Sequence, residues 1–322
     1  MDASLQNRKM GTNRSWKKRL FIILGLAWPV IHLLVFWVYV NLGTVYNSFF
    51  RTNIYGDLIF NGIESYKRVF RVIFMGEGAG LISLRSFWNT LSMIGLALIV
   101  NLPLTLLFSY MIYKKIRLYS IWRVALYIPS VVSIVILCLF FRIIFSGTQT
   151  YTSIFTLLEI LGYKNQNVIQ NGMFATSQTA WWGIIIFSIW TGVNGNIIYF
   201  SSAMARLPEE VIESAQIDGA SDMRQFVAIV IPMIWGTITT MSVTLIGGAI
   251  GIFQPMQLII GSDMGPVTET GTIGWIIVDQ VAGQSTTSAF PAALSVVVSV
   301  VGAVFVFVFK TLMEKAFKEV EY

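Results

Sequence analysis

The sequence predicts an all-α integral membrane protein with six membrane-spanning helices, and three observations carry that expectation. Only 12% of the 322 residues are charged and 55% are hydrophobic, against about 25% charged in a soluble domain. Apolar runs of roughly 20 residues, enough to cross a bilayer as a helix, recur along the chain. Lys and Arg gather in clusters beside these runs, the placement that orients a membrane protein. So few charges cannot cover a water-exposed surface, which excludes a disordered chain, a collagen-like repeat and an ordinary soluble enzyme. The mean hydropathy of +0.71 agrees. For the net charge of +6, placement matters more than sign.

The first span reads from Leu20 to Leu42, after a basic cytoplasmic segment, residues 1–19, with Arg8, Lys9, Arg14, Lys17, Lys18 and Arg19. Its apolar run is too long for a signal peptide, and no small-residue cleavage site follows. Pro29 is tolerable there because neighbouring helices can satisfy the freed carbonyl. Residues 43–85 read as an extracytoplasmic segment in which Ile63–Phe74 forms an amphipathic helix. A five-helix core, residues 86–310, comes next. Its first span, Ser86–Tyr113, ends on a cytoplasmic cluster of Lys114, Lys115, Arg117 and Arg123. Val124–Phe145 returns outward, and Ser146–Thr179, poor in basic residues, is an outer loop. Trp181–Ala203 is the fourth span, with Trp181 and Trp182 as interface anchors. Ile229–Phe253 is the fifth, Gly261–Ser288 an outer loop with no Lys or Arg, and Phe290–Phe309 the sixth, before a basic cytoplasmic tail at 311–322. Both termini are thus expected in the cytoplasm.

The stretch after the fourth span, Arg206 to Arg224, within a loop region at about 206–232, is the most charged in the chain and must be in water. Pro208 suits a first helical position, Glu209 and Glu210 favour the N-terminal end of the helix dipole, and Gly219 can take the left-handed conformation that stops a helix. Ser221 or Asp222 can cap a second short helix. Val211, Ile212 and Ala215 share an apolar face flanked by Glu213 and Asp218, with nothing soluble in the chain to cover it. Such a helix suits the groove of a cytoplasmic partner, although most charged inter-helix loops are solvated connectors.

Glu213-x-Ala215-x3-Gly219-x9-Ile229-x-Ile231-Pro232 resembles the loop motif of binding-protein-dependent ABC importer permeases. Leu207-Pro208 through Gly219-Ala220-Ser221 is similar to the carbohydrate-type, maltose and glycerol-phosphate importer group. Gly62-Ile63-Glu64-Ser65-Tyr66, Phe87-Trp88-Asn89-Thr90-Leu91, Gly265-Pro266 with Thr270, and Ala292-Ala293-Leu294 extend the resemblance from about Leu20 to Lys310. Ser214 stands where that family usually has Ala. The resemblance implies the type I ABC importer permease fold, with a cytoplasmic coupling helix, in a bacterial cytoplasmic (inner) membrane. It further implies a second permease subunit, two ATP-binding subunits that carry ATP and Mg, and an extracytoplasmic solute-binding protein delivering a carbohydrate. In that scheme Glu213, Ala215, Asp218, Gly219, Ile229 and Pro232 couple the chain to the ATPase: Ala215 and Gly219 by permitting close approach, Glu213 by a charged contact, and Pro232 by setting where the next span begins.

No G-x-x-x-x-G-K-[ST] occurs in the chain, so energy is expected from another polypeptide. Asn101, Asn194, Asn196, Gln254 and Gln257 are polar residues in apolar surroundings, which are costly unless they line a cavity or pair; with Trp190 and Tyr199 as stacking rings they are candidates for the substrate pathway. The plain structural alternative is interhelical hydrogen bonding for the amides and packing for the rings. One cysteine, Cys138, and one histidine, His32, leave no disulfide, and no metal site, catalytic group or nucleic-acid partner is expected. A transporter acting without an ATPase would want inverted repeats, broken helices or intramembrane carboxylates, and none stands out in the sequence.

Overall fold

The computed structural model describes residues 3–53, 55, 57–75, 84–147, 154–162, 166–174, 176–260, 269–282 and 289–316. It is helical apart from one two-stranded hairpin among these residues. Among the described residues, four helices are long and apolar enough to cross a membrane: Lys18–Phe49, Leu84–Tyr113, Ser177–Met204 and Ala289–Ala316. Two bent pairs raise the number to six if each is one span. The chain divides into two compact units, residues 1–69 with 284–297, and residues 70–283 with 298–322.

In the first unit, α1 (Ala3–His32) runs through a π-helical segment, Leu33–Val38, into α2 (Tyr39–Phe49). The basic N-terminal segment is therefore helical from Ala3, and the span continues past Leu42 to Phe49. None of its apolar window is buried, so lipid or another chain must cover it. The hairpin follows, β1 (Phe50–Thr52) against β2 (Leu58–Phe60), with Phe50 opposite Phe60. Its turn is closed by Asn53, whose Oδ1 accepts from the N–H groups of Tyr55 at 2.9 Å and Asp57 at 2.8 Å, the local mimicry that makes Asn a turn residue. Gly62, at φ +53°, leads into α3 (Glu64–Met75). Tyr66 then meets Ser48 Oγ at 2.6 Å, a structural reason for the Gly-x-x-x-Tyr segment.

The second unit is built around the span α4 (Leu84–Gly95), a π-helical segment Leu96–Asn101, and α5 (Leu102–Tyr113). Pro103 cannot donate to a preceding carbonyl, and the π segment just before it absorbs the mismatch. Polar residues one turn apart line one face of this span. Asn101 Nδ2 donates to Ser188 O at 3.2 Å, Thr105 Oγ1 to Val193 O at 3.2 Å, and Ser109 Oγ to Ile197 O at 3.3 Å. The recipients lie on α10 (Ser177–Gly192), α11 (Ile197–Met204) and the turn between them. Val193 lies in that turn, where helical hydrogen bonding lapses and a carbonyl needs a donor. A Cβ on Gly192 would strike the Asn101 side chain, so the two helices cross at a glycine.

Two expected straight spans are broken. The third is α6 (Tyr119–Val131) and α7 (Ile134–Ile144), at 102° to each other. Pro129 removes the bond to Ala125, and Val132 and Ser133 are extended, with ψ 140° and 135°. The expected fifth span, Ile229–Phe253, instead comprises Asp222–Met233 and Trp235–Ile250, bent by 78°. α12 (Glu209–Ile217) precedes it, and its pieces are α13 (Asp222–Gln225), a π segment Phe226–Val230, α14 (Ile231–Met233) and α15 (Trp235–Ile250). Pro232 withholds the donor that Ala228 would need, and the chain turns at Ile234, φ −101°, ψ 16°. Hydropathy counts apolar residues and is blind to such bends.

Further along, residues expected in an outer loop form the apolar helix α16 (Ile273–Ala282). Thr272 begins it by accepting from Trp275 N–H at 3.3 Å while donating to Ile252 O at 2.6 Å. The last helix, α17, runs Ala289–Ala316. Residues 317–322 and the Gly265-Pro266 turn lie outside the described residues.

Candidate functional site

The charged loop folds as its local signals require, with one shift of register. Pro208 sits at the N-cap rather than the first helical position, φ −60° and ψ 125°, and Glu209 opens α12. At the other end Gly219 is left-handed, φ +75°. Its N–H donates to Gln216 O at 3.0 Å, and Ala220 N–H donates to Ala215 O at 2.9 Å. These are the paired bonds of a Schellman stop. Ser221 Oγ then accepts from Arg224 N–H at 3.3 Å and starts α13. Two short helices therefore meet at a corner set by Gly219.

The apolar face expected to be bare is not. Ile212 is buried with Leu102, Leu106, Tyr110, Phe200, Met204, Leu207 and Phe226, and Ala215 is buried too. The inner ends of the chain's own spans supply what the loop's apolar face packs against. Of the expected face only Val211 is exposed. The small side chain of Ala215 thus serves a contact within the chain. Glu213, Asp218 and Gly219 are exposed, Ile229 and Pro232 half-buried. Beside them stand Ile217, 86% exposed, and Met223 and Val227. Sequence reasoning missed this outward apolar set; its signal was a large apolar residue just before a glycine stop in a loop that must be in water.

The corner is attached to the end of α5. Lys114 Nζ lies 2.9 Å from Asp222 Oδ1 and donates to Gln225 Oε1 at 2.7 Å. Gln225 Nε2 donates to Ala220 O at 2.7 Å, and Tyr110 OH donates to Asp222 O at 3.0 Å. Burial alone would lower the Lys114 pKa, but the hydrogen bond to Asp222 and the neighbouring Tyr110 outweigh it and raise it.

The candidate pathway residues do not form one cluster. Asn101 is spent on Ser188 O, although its Oδ1 is buried without a hydrogen-bond partner. Asn194, in the turn after α10, donates from Nδ2 to Trp190 O. Trp190 stacks near Phe141, with centroids 6.5 Å apart. Asn196 precedes α11 and is half-buried, and Tyr199 is exposed. Gln254 and Gln257 are half-buried near a π segment, Met256–Ile260, that packs against α7 and α10. A cavity of about 1060 Å³ lies elsewhere, among α5, α6, α11 and α12, lined in part by Lys115, Tyr119, Arg123, Tyr127, Ile198 and Gln216. None of the pathway candidates lines it. At the opposite end of the same central span, Asn89 Nδ2 donates to Glu269 O at 2.8 Å and Gly271 O at 3.1 Å, and Thr90 Oγ1 accepts from Ile273 N–H at 3.0 Å. Arg85 pairs with Glu269 at 3.3 Å. Among the described residues, no three His, Cys, Asp or Glu gather where a metal could be held.

Known proteins share this architecture. A chain in the crystal structure of a bacterial ABC transporter involved in the import of the acidic polysaccharide alginate superposes with a TM-score of 0.74 at 20% identity, covering 94% of this chain and 99% of that one. The arabinooligosaccharides transport system permease protein AraP of Bacillus subtilis is 31% identical over 224 residues, 68% of this chain and 66% of AraP. AraP of Halalkalibacterium halodurans is 25% identical over 197 residues, 60% of this chain and 57% of that protein. The chain thus spans less than two thirds of the length of these relatives. The family of binding-protein-dependent transport system inner membrane components matches residues 101–319, which takes in the second half of the interlocked central span, the bent pairs and the capped loop, and the chain belongs to that family.

Proposed function

We propose that this chain is the transmembrane permease subunit of an ATP-driven importer, forming half of a pathway for a carbohydrate, a sugar or oligosaccharide, delivered by an extracytoplasmic solute-binding protein. The chain binds no cofactor of its own; ATP and Mg belong to two partner ATP-binding subunits, and a second permease subunit completes the pathway. Each bent pair crosses the membrane once, both termini are cytoplasmic, and the core at residues 86–310 follows one outer span. The observation that carries this reading is the corner at Gly219, where a helix stopped and restarted across the four residues 218–221 presents Glu213, Ile217, Asp218 and Met223 to solvent while its other face is anchored in the chain's own core. A surface of that kind suits a partner's groove. Glu213, Asp218 and Gly219 make the outer contact; Ala215, Ile229 and Pro232 hold the corner from within. The names of the relatives, which concern arabinooligosaccharides and alginate, support a saccharide as the cargo.

The alternative of a transporter working without an ATPase draws on the two bends, since broken helices mark many such proteins. Reconstitution separates the readings. The chain, purified with its co-expressed partners into liposomes, is supplied with solute-binding protein and a labelled arabino-oligosaccharide. Uptake that requires internal ATP supports the permease reading, whereas equal uptake by this chain alone without ATP overturns it.

A further inference from the structure

We infer that Lys114 is a positioning residue that binds the α12–α13 corner to the inner end of the span Leu84–Tyr113, so that this span moves with the corner although it is not connected to it in sequence. The inference rests on the permease reading for its functional half and on geometry alone for its structural half. Lys114 and Tyr110 are one helical turn apart and so share a face. Between them they hold the backbone carbonyl and carboxylate of Asp222 and the side chain of Gln225, and Gln225 passes the hold to Ala220 O. Residues 220, 222 and 225 all follow Gly219, where the two short helices meet.

The chain leaves the span in a way that keeps Lys114 in place. Its N–H still donates to Tyr110 O at 2.9 Å, and the turn after it contains two non-glycine residues in the left-handed region, Lys115 at φ +51° and Leu118 at φ +65°. Bulky residues stay in that region only where the surroundings hold them. The Lys114 side chain is 19% exposed, while Lys115, Arg117 and Arg123 are exposed and suffice for the basic charge that orients a span. Lys114 is therefore not needed as a topological cation. Gln225, 2% exposed, would lose the donor to its buried Oε1 if the ammonium were removed, which is the costly kind of loss. The same span is gripped near its other end by Asn89 and Thr90, so a displacement of the corner reaches the 269–273 segment through one helix.

The experiment has two readouts on the full chain in lipid nanodiscs and in the reconstituted assembly. In K114M, amide hydrogen exchange at residues 220–226 is expected to accelerate about tenfold, and in the assembly the ATP hydrolysed per solute imported to rise about fivefold, with the ATP-binding subunits still co-purifying. K114R, which keeps charge and donors, is expected to restore both, and D222A, a change at an exposed side chain, to give a smaller shift of the same sign should K114M fail to fold. Unchanged exchange in K114M and D222A overturns the hold itself. Faster exchange with an unchanged ATP-to-solute ratio overturns the positioning role. A wild-type assembly without ATP-driven uptake overturns the permease reading and the coupling role with it, while the exchange result decides the hold separately.

Discussion

The two ends of the central span are tied down by different chemistry. At one end Asn89 and Thr90, both buried, exchange hydrogen bonds with the backbone of residues 269–273. Neutral groups out of water hold fixed backbone atoms there, beside an exposed ion pair of Arg85 with Glu269. At the other end a cation holds Asp222, whose side chain is 78% exposed, so water and salt compete for the carboxylate. The first grip is neutral and buried; in the second the Asp222 carboxylate is open to salt, while Tyr110 and the buried Gln225 keep the corner on the span. The middle of the span, with Asn101, Thr105 and Ser109 donating to carbonyls where α10 gives way to α11, resembles the first end: buried, neutral and directed at backbone.

The strongest challenge to this contrast falls on the corner itself. Gly219→Asp is expected to lower ATP-driven uptake about a hundredfold, the range for loss of a central interface contact. A Cβ at 219 meets nothing within 4 Å, and the strain that φ +75° puts on a side chain is smaller for Asp than for most residues, so the variant is expected to insert with its main change at the outward surface. Normal uptake with normal co-purification of the ATPase would end the assignment of the corner as the docking surface. Asn89→Leu comes next. The buried Gly271 carbonyl and the half-buried Glu269 carbonyl lose their donor, a cost of about 2 kcal/mol, seen as a fall of a few degrees in the thermal unfolding midpoint; an unchanged midpoint would show that this grip is not structural.

Smaller still is Asp222→Ala, worth less than about 1 kcal/mol because the carboxylate is so exposed. The Tyr110 bond to Asp222 O survives the change. Its effect should vanish in high salt, and a cost equal to that of Asn89→Leu would erase the distinction between the two ends. The smallest effect expected is that of pH. A lysine whose folded pKa is raised above 10.5 contributes fully below that value and is lost only as pH rises through the higher folded one. The exchange protection of residues 220–226 should therefore be flat across neutral and mildly alkaline pH, apart from the intrinsic base dependence of exchange. Its loss in the neutral range would mean that another group governs the grip.

Much of this molecule was legible residue by residue. The stop at Gly219, the cap at Ser221 and the helix between them depend on a few neighbouring positions. Asn89 and Thr90 were visible as part of a motif, but their reason was not: their partners lie about 180 residues along the chain. Ile212, Ala215 and Ile217 show the limit from the other side. All three sit on one short amphipathic helix, and only the packing of Tyr110 and Phe226 against it decides that the first two turn inward and Ile217 outward. A proline in a membrane helix can be absorbed, as Pro29 is within α1, or can accompany a bend of 102°, as at Pro129, and nothing in the adjacent residues tells the two apart.

By itself, the sequence determined the membrane class, the apolar segments and the caps of the charged loop, because transfer to lipid and the closing of a helix end are local free energies set by adjacent residues. Tertiary structure alone decided which spans bend, which intramembrane amides are spent on neighbouring backbone, and that Lys114 reaches the corner. These depend on where a second helix places its unpaired carbonyls and carboxylates, and that placement is a property of the packed bundle, which no segment carries alone.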